Sequence, residues 1–343
     1  MNTNQNTLNI TNTWTEFKQS FNNHIISNIR EHYTQLHNHL NSFNKLVITQ
    51  TNNIKEVLDD IKNTNITSVS FVNDTPDIYR YRKLNIPSNI IELKLPNSMV
   101  SEMVFEDDSN IEKIVFNKVD VKNPVKLPNN IKHISLQCCK VNFVDCTFDN
   151  LQHLVINEME EDDSFEWMNN ASRKATHHVK LGPYIGYVDK ISNAKSVSLT
   201  NERFLNSLNN DVESIELYYI GKDINRIMNL INSYKSLKHL KLMCDDSNEY
   251  TLSIESNNLE TISLCFDPTG YDDDNYSSTC MQKIHILSDK LTSIYAFNCD
   301  ILTMKSKLVT KCNLNHSNIK CDNEFNPDTL CLNESHVYRE NRE

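Results

Sequence analysis

Apolar residues recur at Trp14, Phe17, Phe21, Ile25, Ile29, Tyr33, Leu36, Leu40 and Phe43. Steps of three and four put them on one face of a helix, so the chain is expected to begin its ordered part with one long amphipathic helix, or two broken near Asn22-Asn23. Ile54, Val57, Leu58 and Ile61 predict a further short helix by the same spacing. From about residue 62 the pattern changes. LPNNIKHISL (127–136), IPSNIIELKL (86–95), LNNDVESIEL (208–217), SNNLETISL (256–264) and LSDKLTSIYAF (287–297) each place a polar turn before apolar residues at relative positions 1, 4 and 6.

Alignment on position 1 selects Ile66, Ile90, Ile111, Ile131, Leu151, Thr176, Ala194, Val212, Leu237, Leu259, Leu291, Val309 and Pro327. The intervals are mostly about 18 to 25 residues, the range of one leucine-rich repeat. On these residues the chain resembles the leucine-rich-repeat superfamily, near its asparagine-rich FNIP-type branch, to which Phe325-Asn326-Pro327 is similar. In that superfamily position 9 is Asn or Cys. Cys139 and Cys299 match, whereas Ser98, Val119, Asp245 and Asp267 depart, so no continuous asparagine ladder is expected at that position.

The resemblance implies an α/β fold: a leucine-rich-repeat solenoid with one continuous parallel sheet and an N-terminal helical cap. The expected boundaries are a disordered polar tail at 1–13, the cap at 14–62, the solenoid at 63–337 and a polar tail at 338–343. Helices are expected on the convex side at Asp223–Ser236 and near Phe165–Lys174, and Met281–Leu287 is expected as a strand on the return side.

Composition narrows the classes. Glycine occurs only 4 times, so turns are expected to rely on Asn and Asp, which tolerate a left-handed backbone. A net charge of −11 and no Lys/Arg run in the sequence argue against nucleic acid. The polar first residues and the lack of a long apolar stretch predict no membrane span and a cytoplasmic protein. The 10 cysteines are expected as buried free thiols.

Chemistry-bearing motifs are sparse. Neither Gly-rich phosphate loop is present, nor any C-x-x-C or H-E-x-x-H, so no cofactor and no catalytic residue are expected. His133, His153 and His178 share position 3 of three consecutive repeats, where stacked imidazoles could ligate zinc; this is the candidate metal set, and exposed polar filler is the preferred reading. Position 7 changes from Asn117, Gln137, Asn157, Gly182 and Thr200 to Tyr218, Met243, Cys265 and Phe297. With Tyr295 these form a candidate binding stripe, provided the loop around Asp267–Thr279 does not cover it. The expected function is a non-enzymatic protein-interaction scaffold whose concave face holds a protein partner of unstated identity and whose oligomeric state is open. The alternatives are an adaptor recruiting a target to a larger assembly, as F-box proteins do, and a metal-dependent enzyme using the histidines. Residues 14–62 lack the Leu-Pro start and closing Trp of an F-box.

Overall fold

A computed structural model describes residues 6–11, 14–20, 29–49, 53–72, 78–158, 166–183, 185, 188–218, 224–244, 251–266, 282–306, 308–322 and 325–340. It is α/β, built on parallel strands with few helices, and divides into two compact units: Met1–Ala175 with Tyr184–Tyr187, and Thr176–Pro183 with Val188–Glu343. Among the described residues no helix is long and apolar enough to cross a membrane.

The first unit runs β1 (Thr7–Ile10), α1 (Trp14–Ser20), α2 (Ile29–Leu40), β2 (Lys45–Ile48), α3 (Ile54–Ile61), β3 (Ser68–Phe71), β4 (Tyr79–Ile86), β5 (Glu92–Phe105), β6 (Lys113–Val121), β7 (His133–Gln137), β8 (His153–Ile156) and α4 (Glu166–Lys174). Its strands pair in parallel in the order β1-β2-β3-β5-β6-β7-β8, with β4 along the second half of β5. The second unit holds β9 (His178–Leu181), β10 (Ser196–Leu199), β11 (Ser214–Tyr218), α5 (Ile224–Ser233), β12 (His239–Cys244), β13 (Thr251–Glu255), β14 (Thr261–Phe266), β15 (Gln282–Leu287), β16 (Ser293–Phe297), β17 (Cys299–Lys305), β18 (Lys311–Asn315), β19 (Asn318–Asp322), β20 (Thr329–Asn333) and β21 (His336–Glu340). There one parallel ladder is β9-β10-β11-β12-β14-β16-β18-β20, and a second is β13-β15-β17-β19-β21.

Side chains alternate across a strand, so pairing in register turns each repeat position into a row. Position 4 of the first unit, Val69, Leu93, Ile114, Ile134 and Leu154, and position 6, Phe71, Leu95, Phe116, Leu136 and Ile156, are all at most 1 % exposed. In the second unit Val197, Ile215, Leu240, Ile262 and Ile294 continue position 4 in direct register and are buried. α5 lays Ile224, Ile227, Met228 and Ile231 inward from the segment expected to be helical, and α4 and β15 also fall on expected segments.

Asparagine has a role beyond turn-making. The Asn immediately before position 1 donates its side-chain amide to a backbone carbonyl in the preceding coil: Asn65 to Asn41 O (2.8 Å), Asn89 to Ile66 O (2.8 Å), Asn110 to Ser88 O (3.0 Å), Asn150 to Asn129 O (2.9 Å) and Asn258 to Lys235 O (2.8 Å). Turns between strands expose carbonyls that no ladder partner reaches, and these amides satisfy them. At position 9 a hydroxyl or thiol takes the place of an asparagine. Ser98, Cys139, Ser317 and Ser335 donate to the position-7 carbonyls of Pro96, Gln137, Asn315 and Asn333. Val119, Cys299 and Ser317 N–H groups donate in turn to Cys139 Sγ, Ser317 Oγ and Ser335 Oγ of the next coil.

Several expectations are corrected. Residues 7–10, placed in a disordered tail, form β1, because Ile10 is buried and the strand's backbone pairs with β2. β2 interrupts the expected all-helical cap; Leu46 and Ile48 join the rows of Val69 and Phe71, so the repeat pattern starts upstream of residue 63. β21 runs through Glu340, into the expected 338–343 tail. Thr176 is exposed and Ala175 takes its buried place. Left-handed backbone occurs at Asn63, Asn97, Asp145 and Asn298 as expected, but also at Lys118, Cys138, Phe148, His316 and Glu334, and at no described glycine. Lys118, Cys138, Asn298, His316 and Glu334 all stand at position 8, where the coil turns its corner and the backbone must bend whatever the side chain.

The amide ladder is testable. Asn89 also lies 3.2 and 3.3 Å from the carbonyls of Ile61 and Thr64 and is half-buried, while Asn150 is exposed. Losing the Asn89 amide takes a part-buried donor from the Thr64 and Ile66 carbonyls, while the Ile61 carbonyl keeps the Thr64 N–H and hydroxyl, so Asn89→Ala should cost about 1–3 kcal/mol and Asn150→Ala about 1 kcal/mol or less. Urea unfolding of both variants measures this, and equal losses would contradict the ladder's role.

Candidate functional site

The outward face of the long ladder in the second unit is set by the same register that buries its other face. Position 7 forms the row Tyr218–Met243–Cys265–Phe297, continuing into Asn315 and Asn333. Position 5 forms the neighbouring row Ser198–Glu216–Lys241–Ser263–Tyr295–Asn313. All five residues expected to bind are therefore brought to one face. Tyr295 is 39 % exposed, and Tyr218, Met243, Cys265 and Phe297 are half-buried. The segment expected as a covering loop, Asp267–Thr279, lies outside the described residues.

A charged group that sequence reasoning missed holds one end of the stripe. Glu216 accepts hydrogen bonds from Lys241 Nζ at 2.5 Å, from Ser198 Oγ at 2.8 Å and from the Tyr218 hydroxyl. Lys241 Nζ also sits 5.3 Å from the Tyr218 ring centroid, in cation–π range. Partial burial pulls the Glu216 carboxyl upward, yet the hydrogen bonds from Lys241, Tyr218 and Ser198 outweigh it and hold the group below the usual carboxylate range. The Tyr218 hydroxyl moves up, through burial and through its bond to the Glu216 carboxylate. At the other end Phe297 meets the His316 ring edge-on, with centroids 5.8 Å apart, and His316 Nδ1 lies 3.0 Å from a Glu334 oxygen. The signal for the Glu216–Lys241 pair was present: both occupy position 5 of successive repeats.

Two of the three candidate histidines meet within the first unit. His133 and His153 are row neighbours with ring centroids 5.4 Å apart. His178 belongs to the second unit, where its Nδ1 lies 3.1 Å from Ser196 Oγ. Among the described residues no group of three or more His, Cys, Asp or Glu is placed to hold a metal ion. The described cysteines are all free thiols. Cys139, Cys244, Cys299, Cys312 and Cys321 are buried as expected, but Cys138, Cys146 and Cys265 are half-buried and Cys331 is exposed. Burial pushes the Cys139 thiol up to about 11 and those of Cys299 and Cys312 to about 12, so these three stay protonated near neutral pH and are poor nucleophiles.

No family model, curated protein or solved structure matches the chain.

The Glu216 cluster predicts an acid response. A carboxyl lowered by folding stabilises the folded state above its unfolded pKa, and that contribution disappears as pH falls through the folded value. Stability should therefore drop from about pH 4.5 downward, and Glu216→Gln should flatten the profile in that window while lowering stability at neutral pH. Thermal melts of both proteins between neutral and acid pH check this, and parallel profiles would contradict it.

Proposed function

We propose that the chain is a leucine-rich-repeat scaffold, without enzymatic activity of its own, that holds a protein partner on the outward face of the second unit's long ladder. The observation that carries this reading is the register row Tyr218–Met243–Cys265–Phe297. Four strands at about 4.8 Å spacing make an apolar strip some 15 Å long. Polar groups border it: the Glu216–Lys241 pair on one side, and Asn315 beyond Phe297, whose Oδ1 accepts from Asn333 Nδ2 at 2.6 Å. An apolar centre within a polar rim, with Tyr, Phe and Met prominent, is the composition of protein interfaces.

The adaptor alternative assigns docking to the N-terminal helices. Among the described residues of these helices Trp14, Leu36, Leu40 and the apolar face of α3 are buried within the first unit, which favours a capping role. Trp14 is 1 % exposed and donates to Asp60 at 2.8 Å, Lys18 bridges Glu56 and Asp60 at 2.5 and 2.9 Å, and α3 buries Ile54, Val57, Leu58 and Ile61.

The test compares the tagged wild-type chain with Met243→Glu and Phe297→Glu in capture experiments from the source cell, with thermal melts run alongside. Partner recovery should fall tenfold or more in both variants, with melting temperatures within a few degrees of wild type. Full recovery by both folded variants would move the interface elsewhere.

A further inference from the structure

A second surface lies on the first unit, past the corners at Asn97 and Lys118. There β5 and β6 continue as a short ladder with β4: Arg80 pairs with Met99, Met99 with Asp120, and Asp120 bridges to Lys140. A hollow of about 540 Å³ opens over this ladder, within the roughly 300–1,000 Å³ of small-molecule sites. Arg80, Arg82, Lys122 and Lys140 bring four positive charges to its lining, against the single carboxylate of Asp120.

That imbalance runs against the rest of the chain. The net charge is −11, and five lysines elsewhere each sit on a neighbouring carboxylate: Lys62 on Glu106 (2.5 Å), Lys83 on Glu102 (2.8 Å), Lys132 on Glu112 (2.7 Å), Lys238 on Glu213 (2.7 Å) and Lys241 on Glu216 (2.5 Å). Arg80, Arg82 and Lys122 have no ion-pair partner among the described residues, and all three are exposed. Like charges gathered over one ladder repel, and the described residues supply no anion to Arg80, Arg82 or Lys122. The sequence shows no Lys/Arg run because the cluster is assembled from three of four successive coils.

The lining chemistry selects the anion. Two guanidinium forks match the paired oxygens of phosphate groups, and the lysines add point charge. One phosphate cannot engage four cations spread across a ladder of strands about 4.8 Å apart. Tyr81 and Met99, the latter 39 % exposed, give the hollow an apolar portion. Tyr81 is held in place by the Ile54 N–H at the start of α3, which donates to its hydroxyl at 2.8 Å.

We propose that this hollow binds a small molecule or lipid headgroup carrying two or more phosphate groups. The site is separate from the apolar stripe and stands whether or not the scaffold reading does.

The full chain is titrated at near-physiological salt with inositol hexakisphosphate and pyrophosphate by calorimetry, and with phosphatidylcholine vesicles with and without phosphatidylinositol bisphosphate by co-sedimentation. Binding is expected in at least one arm. It should weaken tenfold or more in Arg80→Gln/Arg82→Gln and in Lys122→Gln, and stay unchanged in Lys235→Gln, an exposed lysine of the second unit. Binding of soluble probes alone identifies a free phosphorylated ligand, and binding of the phosphoinositide vesicles alone identifies a lipid headgroup. The proposal is overturned if no arm binds, or if Lys235→Gln weakens binding as much as the arginine variant, which would mean diffuse charge attraction. It is equally overturned if mixed-sequence single-stranded RNA binds through the same arginines more tightly than every phosphate probe.

Discussion

The hydrogen bond from an asparagine amide to a carbonyl of the preceding coil links the composition of this chain to its architecture. Parallel strands joined by turns leave backbone carbonyls without ladder partners, and water cannot reach those that face the interior. Asn65, Asn89, Asn110, Asn150 and Asn258 reach turn carbonyls from the same repeat position, Asn89 in a part-buried setting and the other four on the exposed side. Each bond also fixes how far one coil can slide along the next. A slip of one residue would turn every position-4 and position-6 side chain outward, so the amide ladder and the buried rows favour the same register. The thiol and hydroxyl groups at position 9 do the same work at the opposite end of the strand, where the coil turns through a left-handed residue.

Register also explains why the surface features are rows rather than patches. Glu216 meets Lys241, and Tyr218 meets Met243, because β11 and β12 pair without offset. The Tyr218 hydroxyl and Lys241 both reach the one carboxylate, so the polar row stiffens the edge of the apolar row beside it. In the first unit the corners at Asn97 and Lys118 carry β5 and β6 into a second ladder, and that ladder collects the cations of three coils into one hollow.

Much of this was legible from spacing alone. The apolar 1-4-6 pattern located the strands and the buried rows, and position 7 picked out four residues that the ladder places side by side. Three things were hidden, each for a physical reason. Thr7–Ile10 and Lys45–Ile48 are too short to show a period, and the helical spacing around them dominated the reading. The left-handed corners at Lys118, Cys138, His316 and Glu334 carry no residue-type signature, since the coil imposes the backbone there. The Arg80–Lys140 cluster is dispersed over some sixty positions of sequence and exists only once the register is known.

The central claim is the register that places Met243 beside Cys265 on the outward face, and a single engineered cysteine tests it. Neighbouring rows about 4.8 Å apart lie within the Cα separation a disulfide spans. Mild oxidation of Met243→Cys should therefore yield a bridge to Cys265, read by mass spectrometry of the digested protein, while Leu242→Cys, which points into the core, should yield none. A bridge formed from position 242 and not from 243 would mean that the strands are offset by one residue, and would contradict the account.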